Sequence, residues 1–166
     1  MTTARVLLNW FASSLGAAPA IEWFTLYAMP IVAEHIELQT HCEATTLRLS
    51  NVEKFQDGSG YRCDLAVRSG GFVCERAFYF DDWYLAETIK SIRQMTEGLP
   101  CEAVLKGQWE KDFIQFKMNR LGHVVVTGEL FERSELSQFI KFAFRTDQTV
   151  FGPLLRDLVA IHEARP

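Results

Sequence analysis

The stretch from Gln138 to His162 constrains the fold most, because its hydrophobic period changes partway along it. Its first residues alternate between two sides, which is the period of a strand with one buried face. One side carries Phe139, Lys141, Ala143 and Arg145, and the other carries Ile140, Phe142 and Phe144. From Phe151 onwards apolar residues recur at helical spacing, and Gly152-Pro153 falls in the first turn, where proline loses no intrahelical bond. Because Thr146-Asp147-Gln148-Thr149 between them is rich in capping side chains, the stretch predicts a strand, a capped turn and an amphipathic helix.

The chain from about residue 41 has the pattern of about seven strands and two helices. The predicted strands are 44–50, 61–67, 72–80, 101–107, 113–118, 124–130 and 139–144. Ser69-Gly70-Gly71 predicts a tight hairpin turn. We expect Asp81 or Asp82 to cap the first helix and Gly98 to end it. The order β-β-β-α-β-β-β-β-α favours an α+β fold, in which two helices pack on a curved, mainly antiparallel sheet.

One face of this sheet is predicted to be apolar and covered by the helices, and the other to be polar. The polar face would carry Arg62, Asp64, Gln115, Lys117, Thr127, Glu129, Lys141 and Arg145. Plain solvation explains such a face in an antiparallel sheet. If the sheet curls, the same face becomes a concave surface suited to a partner.

Residues 1–40 differ from residues 41–166 and are predicted to be an apolar N-terminal extension to the α+β domain. Residues 6–15 fit a short amphipathic helix, and residues 21–28 could form a strand or a helix. A signal peptide with Ala18-Pro19-Ala20 as its cleavage site is one interpretation, but polar residues interrupt the apolar run. Proline, glycine and Glu22 disfavour a membrane span. We favour a segment that packs on the domain or on a second subunit, as in a homodimer, and a cytoplasmic protein.

Composition and net charge limit the classes of partner and metal site that we expect for this chain. The 166 residues are 48% hydrophobic and carry a formal net charge of -4, which disfavours a nucleic-acid partner and allows a basic protein partner. The four cysteines include no C-x-x-C pair and no histidine at ligand spacing, so a zinc site is not expected. Reduced thiols in a cytosolic protein are favoured, although Cys63 and Cys74 could face each other across a hairpin.

No catalytic or cofactor motif is recognisable. The four histidines lie in separate predicted elements, and none belongs to a G-x-S-x-G or H-E-x-x-H pattern. There is no G-x-G-x-x-G or P-loop, so no cofactor is expected. Asp81 and Asp82 could form a carboxylate site with Glu102, but capping of a helix explains them better. We therefore predict that the chain is not an enzyme.

Aromatic and basic residues give weaker signals. The lysines and arginines at 106, 111, 117, 120 and 141 do not form a stripe interleaved with aromatic residues. Trp83, on the first turn of the predicted helix, could equally anchor an interface or fill the core.

Several motifs resemble one family. Phe80-Asp81-Asp82 opens a helix, E-A-V-L-K-G follows it, and G-H-V-V-V-T-G-E-L precedes F-A-F-R-T-D-Q-T-V-F-G-P-L-L-R-D-L. Over roughly residues 44–163 this order resembles the WapI-type immunity proteins and related bacterial domains of polymorphic toxin systems. The first forty residues fall outside the resemblance, as an addition or an over-long start.

The resemblance implies a cytoplasmic, non-catalytic immunity protein that neutralises a cognate toxin domain by direct binding. It implies no contact residues, so the candidate partner-binding residues are acidic groups near loops and strand ends: Asp81, Asp82, Glu110, Asp112, Glu129 and Glu132. The alternative hypothesis is a small-ligand-binding protein that uses a cupped, aromatic-rich sheet.

Overall fold

The structure, a computed structural model, describes residues 31–38, 40, 45–108, 111–132 and 138–164. The helix expected over residues 6–15, the apolar segment 21–28, the cleavage site and dimerisation through the N-terminal segment lie outside these ranges. Neither helix in the described ranges is long and apolar enough to cross a membrane.

The chain forms two four-stranded antiparallel sheets, each followed by a helix. The first half comprises β1 (Ile31–Leu38), β2 (Thr45–Lys54), β3 (Gly60–Ser69), β4 (Phe72–Asp81) and α1 (Asp82–Thr96). The second half comprises β5 (Glu102–Lys106), β6 (Phe113–Met118), β7 (His123–Glu132), β8 (Gln138–Asp147), a 3-10 turn (Gln148–Val150) and α2 (Phe151–Glu163). The predicted α+β class is confirmed. The described part has eight strands rather than about seven, and they form two sheets rather than one.

The additional strand is β1, which lies inside the segment expected to be an extension. It pairs with β2, with Ile36 opposite Leu49 and Leu38 opposite Leu47. Ile36 and Leu38 are buried on either side of Glu37, which is the alternation of a half-buried strand. The sheet therefore begins before the boundary expected at residue 40.

The inner faces of both sheets share one core with the helices. Strand β3 shows the pattern clearly, because every second residue from Tyr61 to Val67 is buried. Side chains of β1, β2, β5, β6, α1 and α2 surround an apolar cavity of only about 20 Å³. The core is thus closely filled where the two halves meet.

The helix ends follow local rules with one exception. Gly98, with φ of 81°, ends α1, and the N–H of Leu99 donates to the Gln94 carbonyl in the manner of a Schellman motif. Asp147 accepts from the N–H of Thr149 and caps the turn before α2, as predicted. At the start of α1, Asp81 occupies the N-cap position and Asp82 lies in the first turn, as predicted. The Asp81 side chain, however, makes no capping hydrogen bond.

Cys63, Cys74 and Cys101 are free thiols. Cys63 lies opposite Phe78 and Cys74 lies opposite Val67, so the two cysteines occupy different positions along the β3–β4 hairpin. A disulfide between them would require a different register.

Candidate partner-binding face

The outer face of the second sheet combines exposed charged side chains with aromatic residues. Strands β6 and β7 alternate between buried and more exposed residues along their length. The outward residues are Glu102, Val104, Lys106, Phe113, Gln115, Lys117, Val125, Thr127, Glu129, Phe131, Phe139, Lys141, Ala143 and Arg145. We call this surface the outer face. All six residues predicted for the polar face in this half of the chain lie there.

Antiparallel register arranges the outer face in rows across the strands. One row is Lys106, Phe113, Glu129 and Lys141, and the next is Val104, Gln115, Thr127 and Ala143. A third row is Glu102, Lys117, Val125 and Arg145. Residues in a row are direct neighbours across the strands, so the side chains of each row lie side by side on the outer face.

Hydrogen bonds hold the middle of the outer face in place. Thr127 Oγ1 donates to Gln115 Oε1 at 3.0 Å, and Gln115 Nε2 donates to Glu102 Oε1 at 2.6 Å. In the neighbouring row, Lys141 Nζ lies 2.6 Å from Glu129 Oε1. The polar groups in the centre are therefore occupied with one another, and the distinctive features lie at the two ends.

At one end, Phe131 and Phe139 form a stacked pair, with ring centroids 5.7 Å apart and planes 26° apart. Lys111 Nζ lies 5.4 Å from the Phe131 centroid, and Lys141 Nζ lies 6.0 Å from the Phe139 centroid. Phe139 is 61% exposed. We call these four residues the aromatic pair and its lysines. Exposed aromatic rings beside cations are typical of residues that anchor protein interfaces.

At the other end, Lys117, Val125 and Arg145 border a groove of about 630 Å³. Asn119 and His123 form its wall at the β6–β7 turn. We call this feature the cationic groove. Two cations flank an apolar residue there, in a chain whose net charge is negative.

The acidic candidates from the sequence fall in different places. Glu129 lies on the outer face, paired with Lys141, and Glu132 borders a groove with Gln138 and Phe139 beside the aromatic pair. Glu110 lies outside the described residues. Asp112 is buried and in contact with Arg76, so it is not available to a partner. Of the described candidates only Glu129 lies on the outer face, because Glu132 alternates with Phe131 and lies on the same side of β7 as the buried Leu130.

Asp82 instead belongs to a cluster that joins four elements. Tyr61 Oη donates to Asp82 Oδ1 at 2.7 Å, and His162 Nδ1 lies 3.2 Å from the same oxygen. Lys54 Nζ is 3.9 Å from Asp82 Oδ1 and donates to the Ala164 carbonyl at 3.2 Å. Burial, together with the Asp82 carboxylate, raises the pKa of Tyr61 well above its usual value.

A carboxylate that orients a histidine is also an arrangement found in general bases. Within the described ranges, however, Asp82 is the only side chain that makes a hydrogen bond or ion pair with His162. The contacts of this cluster link β2, β3, α1 and the end of α2, which is a structural role. Asp81 ends β4 beside the cluster and is half-buried.

Trp83 is 65% exposed, so it does not fill the core. Its ring meets Tyr84 edge-on at 4.9 Å, and Lys106 Nζ lies 5.6 Å from the Tyr84 centroid. Lys106 begins the row that crosses the outer face to Lys141. The exposed tryptophan therefore lies at the β5 edge of the same surface.

Sequence reasoning missed the aromatic pair. The sequence pattern puts Phe139 on the side of its strand that carries Lys141 and Arg145, but the predicted strand 124–130 ends before Phe131. The pattern of basic residues also gives no stripe that would link Lys111 with Lys141. Phe131 in fact lies within β7, directly opposite Phe139. Extending both strands by alternation would have paired the two rings, but their register depends on the hairpin between them.

None of the family models and none of the curated proteins compared with the sequence matches it. In the described ranges, no three histidine, cysteine or acidic side chains come together as a metal site would require.

Proposed function

We propose that this chain is a non-catalytic protein-binding module, and that its partner is a cognate bacterial toxin domain that it neutralises by direct binding in the cytoplasm. The observation that carries the binding role is the exposed aromatic pair with its lysines on the outer face. The toxin as partner class rests on the resemblance to WapI-type immunity proteins.

The energetics of the aromatic pair favour its use as an anchor. Removing a largely exposed phenylalanine from water contributes roughly 2–3 kcal/mol to association. Stacking on Phe131 already orients the Phe139 ring, so little side-chain entropy is lost when a partner docks. Lys111 adds positive charge that can meet carboxylates or carbonyls around the anchor, whereas Lys141 is already paired with Glu129.

The alternative function, binding of a small ligand in a cupped sheet, has less support. The apolar cavity within the described core measures about 20 Å³, which is room for about one water molecule. A ligand pocket usually measures roughly 300–1,000 Å³. The groove of about 630 Å³ on the outer face falls within this range, but it is open and bordered by Lys117 and Arg145 on either side of Val125, so it suits a protein surface better than an apolar ligand.

The test is to co-express the chain with the product of each gene that flanks its own, and to measure complex formation and protection of growth. We expect one flanking product to be toxic alone and harmless with this chain. A tight complex should form in size-exclusion chromatography and titration calorimetry. If no flanking product forms a complex or is neutralised, the proposal is wrong.

Two single variants locate the contact. Phe139→Ala should weaken the complex at least tenfold, because it removes the anchor ring. Phe72→Ala is the matched control, since Phe72 is 76% exposed but lies at the tip of the β3–β4 hairpin of the first sheet. A loss of affinity with Phe72→Ala alone would move the interface away from the outer face.

A further inference from the structure

We propose that the cationic groove binds the carboxylate groups of an acidic protein segment. This inference deepens the proposed function and rests on it for the choice of a protein as occupant. It assigns a chemistry to the end of the outer face opposite the aromatic pair. The overall acidic charge of the chain suggests a basic partner, whereas this groove selects acidic groups locally.

The geometry begins with three adjacent strands. Lys117 on β6 lies opposite Val125 on β7, and Val125 lies opposite Arg145 on β8. Neighbouring strands are about 4.8 Å apart, so the two cations start roughly 10 Å from each other. Both side chains are long and exposed, and they can converge on one carboxylate placed above Val125.

Neither cation is neutralised by the described parts of the protein. Lys117 and Arg145 have no ion pair or side-chain hydrogen bond there, whereas Lys141 on the same face is paired with Glu129. Glu102 is directly opposite Lys117, but its carboxylate accepts from Gln115. Two like charges near each other repel, and a bound anion would relieve that repulsion.

The groove is preformed and partly apolar. Val125, between the cations, is 39% exposed, so it can pack against the methylene groups of a bound glutamate. Asn119 Oδ1 accepts from the N–H groups of Leu121 and His123 at 2.9 and 3.1 Å, which holds the β6–β7 turn in shape. The cationic groove has a volume of about 630 Å³, which is enough for several side chains of a docked loop.

A protein carboxylate suits this site better than a nucleic-acid backbone. Glu102, Glu129 and Asp147 lie on or beside the same face, and the chain carries a net charge of -4. A phosphate backbone that crosses this face would lie close to these acidic side chains as well as to the two cations, and the acidic side chains would repel it. A short acidic loop can place its carboxylates between the cations and avoid the acidic neighbours.

The experiment uses the full chain labelled with ¹⁵N and an eight-residue peptide that alternates glutamate and glycine. A serine–glycine peptide of the same length is the neutral comparison. At low salt, amide shifts should change around Lys117, Val125 and Arg145 with the acidic peptide only. Raising the salt concentration should weaken binding, as expected for a contact between exposed charges.

Variants test the two cations. Lys117→Glu combined with Arg145→Glu should reduce the affinity for the peptide at least tenfold, and the corresponding double glutamine variant should give a smaller loss. The matched control is Lys90→Glu combined with Arg156→Glu, which makes the same change in net charge on exposed helix positions. This control should bind the peptide nearly as well as the unmodified protein. Circular dichroism checks that each variant is folded.

Three outcomes would overturn the inference. Shift changes scattered over the surface, or equal losses in both double charge-reversal variants, would mean that net charge alone attracts the peptide. Tighter binding of an eight-nucleotide thymidine strand at the same residues would assign the groove to nucleic acid. The proposed function fails separately, because the peptide experiment does not require a toxin and the co-expression experiment does not require the groove.

Discussion

Arg76 and Asp112 form an ion pair that joins the two sheets, with Arg76 Nη2 3.3 Å from Asp112 Oδ2. Their side chains are 17% and 6% exposed. Asp112 Oδ1 also accepts from the N–H of Phe131 at 2.8 Å, and Arg76 donates to the Phe131 carbonyl. The pair therefore connects β4, the β5–β6 turn and β7, and it holds the backbone of Phe131 where the exposed aromatic pair begins.

Replacement of Asp112 tests this link. Asp112→Ala should lower the free energy of unfolding by about 3–5 kcal/mol, because it leaves the Arg76 charge and the Phe131 N–H without their partner in a buried place. Urea denaturation measures the change. Asp64→Ala is the control, since Asp64 is half-exposed on the outer side of the first sheet, 3.8 Å from Arg62, and should cost less than about 1 kcal/mol. Similar small losses in both variants would contradict the structural role of the pair.

Gly128 has a steric requirement that an alanine would violate. A Cβ at this position would lie 2.5 Å from Phe142 Cε1 and 2.8 Å from the Phe113 carbonyl oxygen. Gly128→Ala should therefore destabilise the protein by about 1–3 kcal/mol, because the Phe142 ring must move within a filled core. Gly152→Ala at the start of α2 meets no atom within 4 Å and should be neutral or slightly stabilising. Thermal unfolding compares the two variants, and equal melting temperatures would count against the packing at Gly128.

Ionisation of Tyr61 makes the free energy of unfolding depend on pH in the alkaline range. Burial and the Asp82 carboxylate raise the pKa of Tyr61, so the folded protein keeps the proton while the unfolded chain loses it near pH 10. Stability from this group is complete below pH 10 and is lost as the pH rises above it. Tyr61→Phe should cost about 1–2 kcal/mol at pH 7, because Asp82 loses a hydrogen bond.

The difference in free energy of unfolding between the unmodified protein and the Tyr61→Phe variant should shrink from pH 9 to pH 11. Only the unmodified protein loses the contribution of Tyr61 over this range. Urea denaturation at several pH values measures this difference. The other three tyrosines are present in both proteins, so their contributions cancel. A difference that stays constant would show that Tyr61 titrates alike in the folded and unfolded chains.

Cys63 should resist alkylation in the native protein. It is fully buried in β3, and burial raises the pKa of its thiol, so little reactive thiolate reaches the reagent. Cys101 is the internal comparison, because it is partly exposed, although burial also raises its pKa. Iodoacetamide labelling followed by peptide mass spectrometry should find Cys101 modified first and Cys63 modified only after unfolding in urea. Equal labelling rates would contradict the assigned inward face of β3.

Much of the local structure could be predicted from neighbouring residues. The strand Phe113–Met118 has the predicted bounds, Gly98 ends its helix, and Asp147 caps the turn before the last helix. These features depend on period, left-handed backbone geometry and short-range hydrogen bonds. Strand β1 was missed because its alternation is short and follows an apolar segment without a clear boundary.

The sequence by itself determined the α+β class, the inward side of the strands and the start and end of the helices, because each depends on residues within a few positions of one another. Only the tertiary structure decided that the strands divide into two sheets, that Asp112 is buried against Arg76, and that Asp82 contacts Tyr61. It also decided which outward residues become neighbours, namely Phe131 with Phe139 and Lys117 with Arg145 on either side of Val125. The physical reason is that strand register and sheet packing join residues far apart in the chain, and a change of one position in register would exchange the two faces.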